Sequence, residues 1–116
     1  MATTGILLNQ NNNNNDNLKI AIGIYEGDGN ETQKISLNFK PRCVIVTNST
    51  CAWYYNNNHD NYNSGMSVEG FECNQIGLDE NGFIAKTYDT PDASGWGRIS
   101  YDLNSSGQKY RYIAFS

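Results

Sequence analysis

The sequence predicts an all-β chain: a single β-sandwich, jelly-roll-like in its strand spacing, over residues 18–116, preceded by an extended N-terminal arm over residues 1–17. Three observations carry this. No segment sustains a 3.6-residue apolar period. The apolar residues either alternate or gather in short runs. Gly, Asn, Asp and Pro break those runs at regular intervals, leaving seven to nine short strands with turn signals between them.

The first strand is "LKIAIGIYE", which alternates to put Leu18, Ile20, Ile22 and Ile24 on one face. "EGDGNET" reads as a turn: Gly27 and Gly29 accept positive φ, and Asp28 and Asn30 tolerate it. "QKISLNF" returns with Ile35, Leu37 and Phe39 on one face, and Pro41, lacking an N–H for the ladder, ends it. The continuous apolar run "CVIVTN" is expected to be a central strand covered on both sides. "STCAWYYNNNHDNYNSG" begins as a strand through Tyr55 and turns into a polar loop from Asn56 to Gly65. "MSVEGFECNQIGLDENGFIAKTYD" supplies short strands around "DENG", where Asn81-Gly82 is a hairpin-turn pair. "TPDASGWG" is a second loop. "RISYDLN", the turn "SSG" and "KYRYIAF" read as a closing hairpin whose last strand, apolar on parts of both faces, belongs in the middle of a sheet.

The arm is different in kind. Asn9–Asn17 holds one charge and no apolar residue, so it has no surface to bury against the entropy of ordering. Ahead of it lies "TGILL". The arm therefore reads as an apolar tip, Ile6, Leu7 and Leu8, on a polar tether, which is the design of an anchor to a neighbouring subunit. The alternative is a neutral polyasparagine tract.

Composition narrows the function. The net charge is -4, with 17% charged residues; polarity comes from amides and glycine. A nucleic-acid binder needs a cationic face, and an anionic membrane attracts the same, so neither partner is expected. The N-terminus has no basic start, and its apolar piece is too short for a signal peptide. Synthesis in a cytoplasm, with retention there or release by lysis, is the expectation. Cys43, Cys51 and Cys73 are odd in number and lack a C-x-x-C, which suits neither a disulfide framework nor zinc. Cys43, in an apolar run, is expected to pack as a small hydrophobe; whether it is bridged to Cys51 is not decided by spacing.

No catalytic pattern emerges. There is no nucleophile elbow, phosphate loop or nucleotide-binding glycine set. The acids Glu69, Glu72, Asp79 and Glu80 sit among turn residues and read as solvated. "GDGNE" and "DENG" lack the spaced acids of a calcium loop. His59, the single histidine, has no second ligand at metal spacing. No enzyme activity, metal or cofactor is expected. The aromatic residues are the better candidates for a binding surface. Trp53, Tyr54, Tyr55 and Tyr62 flank an amide-rich loop and Trp96 sits in "SGWGR". Rings beside amides suit sugar or protein contacts. Trp53 is expected in the core, Tyr62 fits either role, and Tyr62, Trp96 and His59 are the candidate surface-binding residues.

These residues also carry a resemblance. Gly23, Tyr25, Gly27, Asp28 and Gly29 match a G-x-Y-x-G-D-G turn. Ile35, Leu37, Phe39, Pro41, Val44 and Val46 match a strand pair around F-x-P. Asn81, Gly82 and Phe83 match an N-G-F hairpin, and Tyr110, Tyr112, Ile113, Ala114 and Phe115 match Y-x-Y-I-A-F. Over about residues 22–116 the chain resembles bacteriophage and prophage virion surface proteins, the domains of capsid decorations, head fibres, tail-fibre tips and baseplates. Asn38 departs from the pattern, which has Gly there; the consequence is expected to be local. The resemblance implies a non-enzymatic virion protein on the outer surface of the particle. Its partners would be the major capsid protein or other virion subunits, not nucleic acid or membrane, and it would form a homotrimer. Because the domain fills nearly the whole chain, the expectation is a capsid decoration or head-fibre protein. A small tail-fibre or baseplate protein that binds a host surface glycan is the alternative, and a free carbohydrate-binding lectin the second.

Overall fold

The computed structural model describes residues 18–48 and 59–116, together with the backbone of residues 53–55. The anchor residues Ile6, Leu7 and Leu8, the asparagine tether and Cys51 lie outside the described residues. Ten strands follow one another: β1 (Ile20–Glu26), β2 (Thr32–Ser36), β3 (Cys43–Asn48), β4 (Trp53–Tyr55), β5 (His59–Tyr62), β6 (Ser64–Val68), β7 (Ile76–Asp79), β8 (Gly82–Pro91), β9 (Arg98–Asp102) and β10 (Lys109–Phe115). They form two packed sheets, a β-sandwich. One has the order β1-β10-β3-β6; the other runs β2-β8-β9-β5-β4, with β7 also paired to β8. All pairings are antiparallel except β5 with β9, which is parallel.

The core lies between the sheets and is built around tyrosines. Tyr25, Tyr110, Val44, Val46 and Ala114 come from the first sheet; Phe83, Ala85, Ile76, Leu103 and Phe39 meet them from the other side. Tyr25 stacks on Tyr110 at 5.2 Å between ring centres, and Phe83 meets Tyr112 edge-on at 5.2 Å. Each buried hydroxyl has a partner, as burial requires. Tyr25 donates to the Leu103 carbonyl at 2.7 Å. Tyr110 donates to the Asp102 carboxylate and accepts from the Ser105 N–H, both at 3.0 Å. Small residues make room for the rings: a Cβ on Gly23, the cross-strand partner of Tyr112, would sit 2.5 Å from the Tyr112 hydroxyl.

A second knot holds the ends of the sandwich. Asn104, fully buried, donates through Nδ2 to Asp28 and to the Asn30 carbonyl, and accepts from Gln33. It thus fastens the β1–β2 turn to the β9–β10 connection. The two segments touch backbone to backbone, with Gly27 N–H donating to the Gln108 carbonyl at 2.8 Å. A Cβ on Gly27 would lie 2.0 Å from the Ser105 carbonyl oxygen, so the residue is required for close approach. Gly29, with φ of 81°, is the one in the turn that needs the left-handed region.

The strand alternation expected for β1 is present, but the isoleucine face points outward; the inward face carries Ala21, Gly23 and Tyr25. Other expectations are corrected. "CVIVTN" is central, between β10 and β6, yet only Val44 and Val46 are buried, while Ile45 is on the open face. The polar stretch expected as a loop to Gly65 contains β5 and the start of β6, because its backbone finds ladder partners in β9 and β3. The closing hairpin does not form: β9 joins one sheet and β10 the other, since the Asn104 knot turns the chain across the sandwich. The hairpin turn expected over Asp79–Gly82 is present, with Asp79 paired to Gly82; only its central pair differs, being Glu80 and Asn81 rather than Asn81 and Gly82. The strand before Pro41 also ends early, at Ser36, with Pro41 itself fully buried.

Two tests follow from this framework. β10 pairs with both β1 and β3, so deleting residues 111–116 removes the centre of a sheet. The core loses Ala114 and the packing of Tyr112, and β1 and β3 lose their shared ladder partner, which together exceed what a stability of about 5–15 kcal/mol can absorb. Circular dichroism of the truncated chain should show no cooperative melt; an unchanged melting temperature contradicts the placement.

The second test is the pH profile. Hydrogen bonds from the Asn30 backbone and the Asn104 side chain hold the Asp28 carboxyl below its ordinary 3.8. The Lys34 ammonium does so for Asp79, and the Ser94 hydroxyl for Asp92. These groups stabilise the fold fully above the unfolded value and lose that contribution as pH falls through their lower folded values. Burial pushes Tyr110 up from 10.0 to about 12 and raises Tyr25 further. Their contribution is complete below pH 10 and is lost as pH rises through the folded values. The melting temperature should be flat near neutrality and fall at both ends, with Tyr110→Phe shallowing the alkaline limb. An alkaline limb unchanged in that variant contradicts the assignment.

Candidate docking face and tyrosine row

The outward face of the β1-β10-β3-β6 sheet carries most of the exposed large apolar residues among the described residues. Its register aligns Ile22, Ile113, Ile45 and Met66 in one row across four strands. The neighbouring row is Ile20, Phe115, Cys43 and Val68, extended by Phe71, which forms an isolated bridge with Val68. A third row is Ile24, Arg111, Thr47 and Ser64. Only Arg111, Thr47 and Ser64 are polar. Exposure is high: 67% for Ile22, 55% for Met66 and 83% for Phe71. Single exposed apolar residues need no explanation, but contiguous rows of them mark an interaction surface. Cys43 is a free thiol in this face; its partial burial raises its pKa. It is not a core residue, because the period of two gives the inward positions to Val44 and Val46.

The three surface-binding candidates are placed as follows. His59 and Tyr62 both lie on β5, and Trp96 in the turn between β8 and β9. By alternation His59 and Tyr62 point to opposite faces. Tyr62 stacks on Tyr101 at 5.6 Å, and Tyr88 lies against Tyr101 at 5.1 Å. The register extends this row to the backbone position of Trp53 on β4, whose side chain is outside the described residues. Asn74 donates to the Tyr101 hydroxyl at 2.9 Å. The row was invisible in the sequence because its members come from three distant strands; no spacing links them. Trp96 stands 90% exposed on a turn ordered by Asp92, whose carboxylate accepts from Ser94 and the Gly95 N–H.

On the opposite side of β5, His59 Nε2 is hydrogen-bonded to Ser100 Oγ, which donates to Asp89. A hydroxyl has one proton, and here it goes to Asp89, so the imidazole meets the oxygen as a donor. That is the reverse of a histidine drawing a proton from a nucleophilic serine. The acids near the β7–β8 hairpin do converge, around a groove of about 220 Å³ lined by Glu69, Glu72, Asp79 and Glu80 with Lys40, Pro41 and Leu78. Each is engaged: Asp79 with Lys34, Glu80 with Lys40, Glu69 with Arg42, and Glu72 with the Leu78 N–H. Among the described residues no three His, Cys, Asp or Glu side chains are grouped to hold a metal ion.

Tyr101 and Trp96 should differ sharply in thermal or urea melts. Tyr101→Ala removes two ring contacts and one hydrogen-bond partner and should cost about 1–3 kcal/mol. Trp96→Ala should stay within about 0.5 kcal/mol. Equal effects contradict the packing described. In comparisons with known proteins, no family model matches the chain, and no curated protein or solved structure shows significant similarity to it.

Proposed function

We propose that the protein is a structural, non-enzymatic subunit of a bacteriophage particle, a small accessory protein on the outer surface of the capsid, made in the host bacterial cytoplasm. The observation that supports this reading is the open isoleucine face. A domain that works alone in water does not keep two apolar rows uncovered across a whole sheet. A subunit built to be covered does. The resemblance of residues 22–116 to virion surface proteins supplies the kind of assembly, with the major capsid protein or other virion subunits as partners. Mass spectrometry of purified particles tests it: the protein should be present at a copy number that matches the capsid lattice. Its absence from particles contradicts the proposal.

A tail or baseplate protein that binds host glycan is the second reading, favoured by the tyrosine row beside Asn74. Rings with flanking amides suit a sugar's apolar face and hydroxyls. A copy number matching the tail, with oligosaccharide shifts at Tyr62 and Tyr101 in NMR spectra, would select it.

The arm is proposed as the tether to the particle. Nine extended residues, 9–17, reach at most about 30 Å, enough to cross to an adjacent subunit. Ile6→Asp with Leu8→Asp should leave the melting temperature of the domain unchanged and abolish incorporation into particles. Wild-type copy number in that double variant contradicts the anchor.

A further inference from the structure

We infer that the free edge of β1 takes an extended apolar peptide as a further strand of its sheet, and that in the free chain the occupant is the chain's own Thr4–Leu8, folded back antiparallel. The inference concerns the chain before assembly and does not rest on the proposed function. On a particle the same tip would have to leave this edge for a neighbouring subunit.

The edge is defined by the backbone. β1 ends the β1-β10-β3-β6 sheet. The Lys19 carbonyl accepts from the Ser116 N–H at 3.0 Å, and the Gly27 N–H donates to the Gln108 carbonyl at 2.8 Å, so the odd-numbered residues face β10. The even-numbered residues turn their N–H and C=O groups the other way. Glu26 does so: its carbonyl accepts from Gln33 Nε2 at 3.0 Å. Ile20, Ile22 and Ile24 direct both groups along the open edge, and among the described residues no strand pairs with it. Edge strands are commonly kept short, or guarded by charges, Pro or bulges, because an open ladder templates pairing. β1 has none of these guards. It is seven residues long and in unbroken register with β10, with no Pro and its one charge at the end, Glu26. The other strands that end a sheet, β6, β2 and β4, have five, five and three residues.

Such an edge selects an extended segment: the main chain supplies the hydrogen bonds, and apolar side chains lie beside those of Ile20, Ile22 and Ile24. Thr4–Leu8, "TGILL", is a segment of that kind, and it is joined to the strand itself. Asn9–Asn17 leads directly into Leu18, so a return along β1 is a hairpin that crosses no other connection. Those nine residues reach at most about 30 Å, against about 23 Å for the seven residues of β1, so the tip can lie along any part of the strand. A polar tether suits a solvated loop, and the cost of closing it grows only with the logarithm of its length. It holds the tip near the edge at an effective concentration on the order of millimolar, an advantage no separate peptide has.

Amide hydrogen exchange of the full chain, followed residue by residue in NMR spectra, tests this. In the wild type the Ile22 and Ile24 N–H groups should be protected much as those of Ala21, Gly23 and Tyr25 are. Ile6→Pro with Leu7→Pro removes a ladder donor from the tip whichever of the two faces β1. In that variant Ile22 and Ile24 should exchange at least about a hundredfold faster. Ala21, Gly23 and Tyr25, bonded to β10, should keep their protection, which shows that the domain is folded. Protection in the wild type should not change on dilution, because the occupant is tethered. Ile22 and Ile24 amides that exchange fast in the wild type, or as slowly in the variant, overturn the inference. Protection that grows with concentration also overturns it and assigns the edge to a second copy. A protected edge in a chain absent from particles contradicts the proposed function and leaves the inference standing; an unprotected edge in a chain present in particles does the reverse.

Discussion

The two stacked tyrosines in the centre, Tyr25 and Tyr110, decide which way the first sheet faces. β1 and β10 are apolar on both sides, so the hydrophobic effect alone has no strong preference between burying isoleucines and burying rings. The rings win because their hydroxyls find partners inside. Tyr25 reaches the Leu103 carbonyl, and Tyr110 bridges Asp102 and the Ser105 N–H. Turned outward, these strands would leave Asp102 and Ser105 without those partners, and an unsatisfied buried group costs about 1–3 kcal/mol. Since side chains alternate with period two, fixing Tyr25 inward puts Ile20, Ile22 and Ile24 outward with no further choice.

The same anchor explains what the other residues do. Gly23 is small because the Tyr112 ring lies over it, and Ala21 beside it packs against the core. The β9–β10 connection crosses from one sheet to the other because Asp102, Leu103 and Asn104 are all held by groups across the core or from the β1–β2 turn. The open face is thus a consequence of how the core is satisfied, and its two apolar rows are what the alternation leaves outside.

Much of the fold was legible in the sequence. The all-β class, the β1 alternation and the central place of the last strand came from period-two runs and turn residues, which are local signals. What failed was non-local. Nothing along "LKIAIGIYE" tells which face a partner sheet will cover, because both faces are apolar. The apparent hairpin of "RISYDLN" and "KYRYIAF" obeyed every short-range rule, yet Asn104 sends the two strands to different sheets. The polar stretch around His59 lacked any apolar pattern and became a strand through backbone pairing with β9. For the site, Tyr62 and Trp96 were legible as aromatic residues, but the tyrosine row and the isoleucine rows exist only after register is set.

The direction of the first sheet is the central claim, and an isotope-edited nuclear Overhauser spectrum of the full chain tests it most directly. The account predicts contacts from the Tyr25 ring to the rings of Tyr110 and Phe83, with none from the Ile22 methyls to Phe83. Strong contacts between Ile22 and Phe83, with Tyr25 lacking ring neighbours, would mean the sheet faces the other way and would contradict the account.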